Sequence, residues 1–401
     1  MREYIVLRDL QPTRTSEPFG GGLRGRTAGP APSAAMEAPP EPRLEVENLE
    51  NRDLREMARD PEVAAIAPPM PTRLIEPRAL DDDAAAAAAG DAWGIAAVGA
   101  DSSAFTGAGV TVSVLDTGID SAHPAFSGVS INEKDFSGSG EGDRQGHGTH
   151  CAGTVFGRDV SGSRIGVARG VTNVLIGKVL GDSGGGSSDM LFNGMQWAVQ
   201  NGANVISMSL GFDFPGMVKG LVANDWPADL ATSRALEAYR ANLRMFDALM
   251  GLIRAQEGFG PGTIVVAASG NESERQIDPD YEIAASLPAA AEGVVSVGAL
   301  GRQGSVFTIA PFSNTFPQIA APGVAVKSAK TGGGLVEFNG TSMACPHVAG
   351  VAALWWEAVR SSPVPATART VLAKLLASAQ TGGFAPDVDV ADRGVGIVRS
   401  P

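Results

Sequence analysis

From about residue 91 onward, short apolar runs rich in β-branched residues alternate with longer segments of helical character. Strands that are buried on both faces produce continuous apolar runs of this kind. The pattern therefore predicts an α/β fold, with a parallel sheet covered by helices on both faces. The predicted strands are residues 110–115, 173–179, 205–209, 263–268 and 293–297, and residues 190–201 form a typical intervening helix.

Residues 1–80 follow a different pattern, which predicts a small α+β domain. Three short strands are expected near residues 4–7, 43–46 and 63–66, with a short helix before the last of them. Residues 11–42 are rich in Pro, Gly, Ser and Ala, so we expect a loop or disordered insertion there. Residues 81–90 contain three aspartates, six alanines and a glycine, and are interpreted as a linker to the main domain at 91–401.

Three polar residues stand in small-residue surroundings that favour nucleophilic catalysis. Asp116 follows an apolar strand, at the sheet edge where functional groups gather in open α/β folds. His147 begins a glycine-flanked helix, and Ser342 begins another helix whose free N–H groups could hold a developing oxyanion. A serine hydroxyl needs a base to take its proton and an acid to orient that base.

A second oxyanion donor is expected at Asn271. The predicted strand at 263–268 ends in small residues, and the amide follows directly after Gly270. An asparagine after a glycine is usually only a turn residue, so this assignment depends on the other motifs.

The chain has four histidines, at positions 123, 147, 150 and 347. His147 is the best base because it leads its helix, whereas His123, His150 and His347 are interpreted as structural. No H-E-x-x-H pattern occurs, so the sequence predicts no catalytic metal. The two cysteines, Cys151 and Cys345, lie beside the motifs and are expected to be buried free thiols.

Charge and hydropathy exclude some partners. The net charge of −13 argues against nucleic acid and anionic membrane as partners. The sequence contains no run of about 18 apolar residues, so it predicts no membrane span. The first residues lack an apolar core of signal-peptide length, so we expect a cytoplasmic protein, or a secreted one if a leader has been removed.

Taken in order, these motifs resemble those of the subtilisin-like serine proteases, the subtilase family. The histidine motif is similar to that of the proteinase K branch. The resemblance implies that Asp116, His147 and Ser342 form the triad and that Asn271 is the oxyanion donor. The motifs are D-T-G at 116–118, H-G-T-H-C-A-G-T at 147–154, S-L-G at 209–211, A-S-G-N at 268–271 and N-G-T-S-M-A-C-P-H-V-A-G at 339–350.

The resemblance also implies where a peptide substrate lies. It would bind as an additional strand, so that backbone pairing supplies affinity and side-chain pockets supply selectivity. One rim would be Ser209, Leu210 and Gly211, and the other Gly184, Gly185 and Gly186. The small residues Ala268, Ser269 and Gly270 would line a first specificity pocket with room for a large apolar side chain.

Residues 212–261 depart from the family pattern as an insertion. Residues 227–256 read as one long helix with an apolar stripe, which we interpret as packing on the core rather than as a lid. Residues 212–226 directly follow a predicted rim, and for them we favour a lid or partner surface.

The N-terminal domain resembles the family's inhibitory propeptide, chiefly through the motif at 60–63 and its flanking strands. Its last residues would plug the cleft, and self-cleavage is expected between Pro71 and Gly90. The chemistry is expected to need no cofactor. A structural calcium ion is possible near residues 157–163, but only Asp159 is a good ligand there.

These features predict a serine endopeptidase that hydrolyses peptide bonds through an acyl-enzyme, made as a self-inhibited and self-processing precursor. Its partners would be protein or peptide substrates and its own N-terminal region. Two alternatives remain: a subtilase-like peptide ligase or macrocyclase, and a regulatory binding module with little turnover.

Overall fold

The computed structural model describes residues 2–9, 42–78 and 92–401. The predicted insertion at 11–42, save residue 42, and the predicted linker at 81–90 lie outside the described residues. The division between the two domains at that linker therefore stays a prediction. In these described parts, no helix combines the length and apolar character needed to cross a bilayer.

The N-terminal unit is a three-stranded antiparallel sheet with a short helix, as the sequence predicted. Its central strand pairs with both neighbours, in the order β2-β1-β3. A further short strand, β4, leaves this sheet and pairs elsewhere. The elements are β1 (Arg2–Arg8), β2 (Arg43–Leu49), α1 (Asn51–Met57), β3 (Val63–Ala67) and β4 (Pro71–Leu74).

The rest of the described chain forms the α/β domain. Its strands are β5 (Thr111–Asp116), β6 (Ser130–Asp135), β7 (Asn173–Lys178), β8 (Gly185–Ser187), β9 (Val205–Met208), β10 (Leu210–Phe212), β11 (Ile264–Ala268), β12 (Val295–Gln303), β13 (Val306–Ile309), β14 (Ile319–Pro322), β15 (Val326–Ala329) and β16 (Leu335–Phe338). Its helices are α2 (Trp93–Ala97), α3 (His147–Phe156), α4 (Ser188–Gln200), α5 (Phe214–Ala223), α6 (Ala228–Ala255), α7 (Thr341–Arg360), α8 (Ala368–Ala377) and α9 (Val390–Arg393). Short 3₁₀ turns occur at Pro124–Phe126 and Gln256–Gly258.

The central sheet confirms the predicted fold class. Its order is β13-β12-β11-β9-β5-β7-β6, with β14 also paired to β12. The pairs from β12 through β11, β9, β5 and β7 to β6 are parallel, and only β13 is antiparallel. Parallel strands need crossover helices, which is why the apolar runs alternate with helical segments along the chain.

Side chains of β11 show how the sheet is covered on both faces. Ile264, Val266 and Ala268 belong to one hydrophobic cluster, which contains α3 and α7. Val265 and Ala267 point the other way, into a cluster shared with α4 and α6. Successive residues of a strand face opposite sides, so a strand buried on both faces is apolar at every position.

The long helix α6 joins the N-terminal unit to this second cluster. Ile5 and Leu7 of β1 belong to the same cluster as Phe246 and Leu249 of α6. The buried amide of Asn242 donates to the Pro68 carbonyl at 2.9 Å. The stripe on α6 therefore packs on the core, and it also receives the N-terminal sheet.

Strand β4 lies between two strands of the α/β domain rather than in its own sheet. It pairs antiparallel with β10 on one side and with β8 on the other. The chain continues through residues 75–78 across the carboxyl ends of the central strands. We call residues 71–78 the cleft segment.

Candidate active site

Asp116 and His147 come together at the carboxyl end of β5. The Nδ1 atom of His147 lies 2.8 Å and 3.1 Å from the two carboxylate oxygens of Asp116. An ionised carboxylate only accepts hydrogen bonds, so this contact places the imidazole proton on Nδ1 and leaves Nε2 free as a base. Both side chains are at most 1% exposed, so water does not compete with the contact.

Helix α3 packs closely on the turn that carries Asp116. A Cβ on Gly148 would lie 2.2 Å from the Gly118 carbonyl oxygen, so only glycine fits there. The Gly148 N–H donates to the Thr117 hydroxyl at 2.9 Å. This close approach brings the first residue of α3, His147, within reach of the carboxylate.

Asp143 also holds the turn after Asp116 against helix α3. One of its buried carboxylate oxygens accepts from the Thr117 hydroxyl at 3.0 Å and from the Gly146 N–H at 2.7 Å. The other accepts from the N–H and hydroxyl of Thr149, at 2.8 Å and 2.7 Å. Asp143 therefore ties the turn after Asp116 to the first turn of α3, whose N–H groups lack partners inside the helix.

Ser342 lies in the first turn of α7 and is fully buried. Gly340 precedes the helix, where a Cβ would lie 3.1 Å from the Asn271 side-chain nitrogen. The Ser342 hydroxyl donates to the Ile75 carbonyl at 3.0 Å, with a longer contact of 3.4 Å to the Ser209 carbonyl.

The helix that carries Ser342 also contains a proline, Pro346. The helix begins at Thr341, so Pro346 lies in the second turn. Proline cannot donate to the carbonyl four residues earlier, which is that of Ser342. That carbonyl accepts instead from the Ser209 hydroxyl at 3.1 Å and the Cys151 thiol at 3.4 Å. These two contacts of the Ser342 carbonyl connect α7 to the rim at Ser209 and to helix α3.

Asn271 follows β11 and faces the same space. Its side-chain oxygen accepts from the N–H and hydroxyl of Thr341, at 2.9 Å and 2.8 Å. These contacts fix the amide orientation and direct its NH₂ into the cleft, where it donates to the Glu76 carbonyl at 2.9 Å. A donor held in this way is suited to bind an oxyanion.

The remaining histidines are held by backbone groups, in keeping with the structural roles predicted for them. His123 contacts the Gly334 carbonyl, His150 that of Val326 and His347 that of Met343, at 2.8–2.9 Å. Burial, then the nearby His147, lowers the pKa of His150 to about 3. Burial lowers the pKa of His347 to about 4. Both imidazoles are therefore neutral near pH 7.

Cys151 and Cys345 are both free and buried, as expected. Burial raises the pKa of Cys345 to about 11, and burial together with Asp116 raises that of Cys151. Since the thiolate is the reactive form, these thiols are poor nucleophiles. Cys151 lies 3.7 Å from His147 Nδ1 and packs beneath it.

The two predicted rims flank the cleft segment. Leu210, Gly211 and Phe212 of β10 pair with Leu74, Arg73 and Thr72, so the rim extends one residue past the predicted Gly211. On the other side, Gly185 and Gly186 pair with Arg73 and Thr72, and the Gly184 carbonyl accepts from the Leu74 N–H at 2.8 Å.

Ile75 of the cleft segment is a buried apolar residue beside the rim at Gly211. It is 5% exposed and belongs to the same hydrophobic cluster as Ala268. Its Cγ1 would lie 3.6 Å from a Cβ on Gly211. Ser269 and Gly270, the other residues predicted to line the first pocket, are held by hydrogen bonds of their backbone: the Ser269 N–H donates to the Val297 carbonyl at 3.0 Å, and the Gly270 N–H to the Thr341 hydroxyl at 3.2 Å.

Sequence reasoning missed three features of this site. Asp143 could have been noticed as an acidic residue just before a helix N-terminus, which is a capping signal. That the Ser342 carbonyl lacks a helical donor follows from Pro346 once the helix start is known. The contacts of Glu76 and Arg78 had no local signal: the Arg78 N–H donates to the Asn339 carbonyl at 2.8 Å, across a long stretch of chain.

Possible metal ligands lie close together in one group of the described residues. Among them, the close group of possible ligands is Asp116, His147 and Cys151, which lies within the catalytic arrangement itself. Asp159, the carboxylate considered for calcium, pairs with Arg169 at 3.3 Å.

Comparison with known proteins identifies relatives of this chain. M-protease of Shouchella clausii (strain KSM-K16) is 36% identical over 268 residues, which cover 65% of this chain and 58% of the relative. Subtilisin Savinase of Lederbergia lenta is 35% identical over 268 residues, with 65% and 82% covered. Intracellular serine protease of Paenibacillus polymyxa is 33% identical over 256 residues, with 62% and 67% covered.

This chain thus spans a little more than half the length of M-protease, and 59% of Alkaline elastase YaB of Bacillus sp. (strain YaB). The profile described as the subtilase family matches residues 107–396, which include the five motifs between residues 116 and 350. The chain therefore belongs to the subtilase family, the subtilisin-like serine proteases.

Proposed function

We propose that this protein is a serine endopeptidase in which Ser342 is the nucleophile, His147 the base and Asp116 the residue that orients His147. The observation that carries the proposal is the buried contact of His147 Nδ1 with Asp116, at the edge of the sheet where the helix containing Ser342 begins. Protein or peptide substrates fit this family and the strand-shaped cleft.

In the proposed reaction, His147 Nε2 takes the Ser342 proton as the hydroxyl oxygen attacks a peptide carbonyl. The same nitrogen then gives that proton to the leaving amine, and water releases the acyl group by the reverse sequence. The Asp116 carboxylate stabilises the imidazolium that forms between these steps. The Asn271 NH₂ and the Ser342 N–H would hold the oxyanion. These side chains supply every group the reaction needs, so no cofactor is invoked.

The cleft segment is proposed to inhibit the enzyme, because the catalytic groups contact two different carbonyls. The Ser342 hydroxyl is bonded to the carbonyl of Ile75, whereas the Asn271 amide holds that of Glu76. Catalysis requires the nucleophile and the oxyanion donor to act on the same carbonyl. Buried Nε2 of His147 also has no hydrogen-bond partner among the described residues. In a productive substrate both groups would act on one carbonyl, whereas here they contact the carbonyls of two successive residues of the segment.

Pro77 reinforces this nonproductive arrangement. The bond whose carbonyl contacts Asn271 is Glu76–Pro77, and its nitrogen carries a ring carbon in place of hydrogen. That carbon crowds the atom that His147 would protonate. We propose that processing between Pro71 and Gly90 requires the segment to shift first.

Replacing Ser342 by alanine tests both parts of the proposal. We expect Ser342→Ala to abolish peptide cleavage, self-processing and reaction with a fluorophosphonate. Intact-mass spectrometry of parent and variant reports processing and labelling together. As a matched control, Ser361→Ala removes a hydroxyl at the other end of the same helix, where it donates to the Glu357 carbonyl, and should leave all three readouts unchanged.

Self-processing that persists in Ser342→Ala would reject Ser342 as nucleophile. A parent chain that reacts with no fluorophosphonate would favour the regulatory module. The mass of the product from a model peptide separates hydrolysis, which adds water, from the ligase alternative, which joins the acyl group to an amine.

A further inference from the structure

The Arg73 side chain of the cleft segment lies close to two carboxylates, one directly after β10 and one after β11. Its guanidinium is 3.2 Å from Glu272 Oε1 and 3.7 Å from Asp213 Oδ1. Arg73 is the exposed residue between two buried ones, Thr72 and Leu74. Its side chain therefore projects from the strand toward the rim, where these two acids stand.

Asp213 is held firmly where β10 passes into α5. Its carboxylate accepts from the Gly216 N–H at 2.9 Å and caps that helix. Its own N–H donates to the Pro71 carbonyl of the cleft segment at 2.8 Å. One residue thus pairs with the backbone of the bound strand and presents a negative charge to its side chain.

Glu272 is the second carboxylate, directly after Asn271. One carboxylate oxygen accepts from the Asn314 side chain at 2.8 Å, and the other faces Arg73. The pocket along the segment is lined by Asn271 and Glu272 together with residues 183–185. The nearby Arg78 guanidinium donates to the Asn271 carbonyl at 2.7 Å.

The position of Arg73 along the strand defines a subsite. We assign Ile75 to the first pocket, because it lies beside Gly211 and shares a hydrophobic cluster with Ala268, and Arg73 is the second residue before it. When a substrate replaces the cleft segment, both carboxylates lose this guanidinium. A cation on the substrate at the same position would restore two attractive contacts, a neutral side chain would restore neither, and an acid would be repelled.

We propose that Asp213 and Glu272 form an acidic subsite that selects substrates with arginine or lysine two residues before the residue in the first pocket. The inference rests on the proposed endopeptidase activity and adds a specificity to it. Each contact is partly exposed, which limits its strength, but both act on one side chain.

The test uses three peptides that copy the bound strand. Acetyl-Pro-Thr-X-Leu-Ile carries a fluorogenic amide leaving group, and X is Arg, its uncharged isostere citrulline, or Glu. We expect kcat/KM for Arg to exceed that for citrulline by about tenfold at low salt, with Glu lowest, and the ratio to shrink in 1 M salt, where the Debye length is about 3 Å. The ratio is independent of how many molecules have an open cleft.

Variants assign the effect to the two carboxylates. Asp213→Asn keeps a good helix cap, and Glu272→Gln keeps an acceptor for Asn314. In the double variant, the Arg to citrulline ratio should fall to near one. The matched control is Glu292→Gln, which removes a carboxylate paired with Arg254 and should leave the ratio as in the parent.

Equal kcat/KM for the Arg and citrulline peptides in the parent would overturn the subsite alone. A preference that survives in the double variant would also overturn it. If the parent cleaves none of the peptides and also resists a fluorophosphonate, then the endopeptidase proposal fails, and the specificity inference fails with it.

Discussion

The catalytic centre and the rim that grips the cleft segment lie side by side, but different forces hold them. The Asp116 and His147 side chains are 0% and 1% exposed. Arg73 is 45% exposed, and its carboxylate partners are 23% and 36% exposed. Buried hydrogen bonds are shielded from water and salt, whereas exposed ion pairs are weakened by both. The molecule thus fixes its proposed chemistry and leaves the occupancy of its cleft adjustable.

The largest effect on activity is expected from breaking the buried contact between Asp116 and His147. In Asp116→Asn the amide can donate as well as accept, so it also supports the imidazole tautomer with its proton on Nε2. We expect kcat to fall by about 10³–10⁴-fold, as for the equivalent change in other serine proteases. The measurement is kcat on a fluorogenic peptide, with the melting temperature recorded to exclude unfolding.

The control for this change is Asp159→Asn, which alters an exposed carboxylate paired with Arg169. Its kcat should match that of the parent. If Asp116→Asn retained kcat within tenfold of the parent, Asp116 would not orient the base.

An intermediate effect is expected from acid, and it concerns the buried side alone. The native pKa values of about 3 for His150 and about 4 for His347 lie below the unfolded value of about 6.5. Between these limits the unfolded state binds more protons than the native state. Stability is therefore full above pH 6.5 and falls as pH drops, by about 1.4 kcal/mol per pH unit for each histidine.

Urea unfolding at pH 7.5 and pH 5 measures this dependence. His347→Gln should show a smaller loss of unfolding free energy between the two pH values, because one titrating group has been removed. A loss as large as in the parent would mean that His347 does not carry this acid sensitivity.

The smallest effect is expected from removing the exposed ion pairs of Arg73. Arg73→Gln removes both ion pairs but keeps the backbone pairs of β4, so the cleft should open more often. We expect fluorophosphonate labelling of Ser342 to accelerate by about twofold to tenfold at low salt. In 1 M salt, parent and variant should differ less.

Arg52→Gln provides the comparison, since Arg52 pairs with Glu56 on an exposed helix of the same N-terminal unit. It should label at the parent rate. If Arg73→Gln labelled no faster than Arg52→Gln, the rim would hold the segment through its backbone alone.

Much of the fold could be predicted because strands and helices follow from the local spacing of apolar residues. The apolar run ending at Asp116 has to be a buried strand, and the long stripe between residues 227 and 256 has to be one helix. The family followed from motifs whose order and spacing are specific. The helix at Phe214–Ala223 was not predicted, and the lid role expected for residues 212–226 stays a prediction. In the structure, Asp213 at its start meets the cleft segment.

By itself, the sequence determined the fold class, the family and the identity of the candidate catalytic side chains, since each depends on residues close together in the chain. Only the tertiary structure decided which carbonyl meets Ser342, which meets Asn271, and that Arg73 pairs with both Asp213 and Glu272. Those contacts join residues more than a hundred positions apart. They depend on the register in which the cleft segment pairs with β8 and β10. Backbone pairing permits more than one register, and side chains such as Ile75 and Arg73 select one of them.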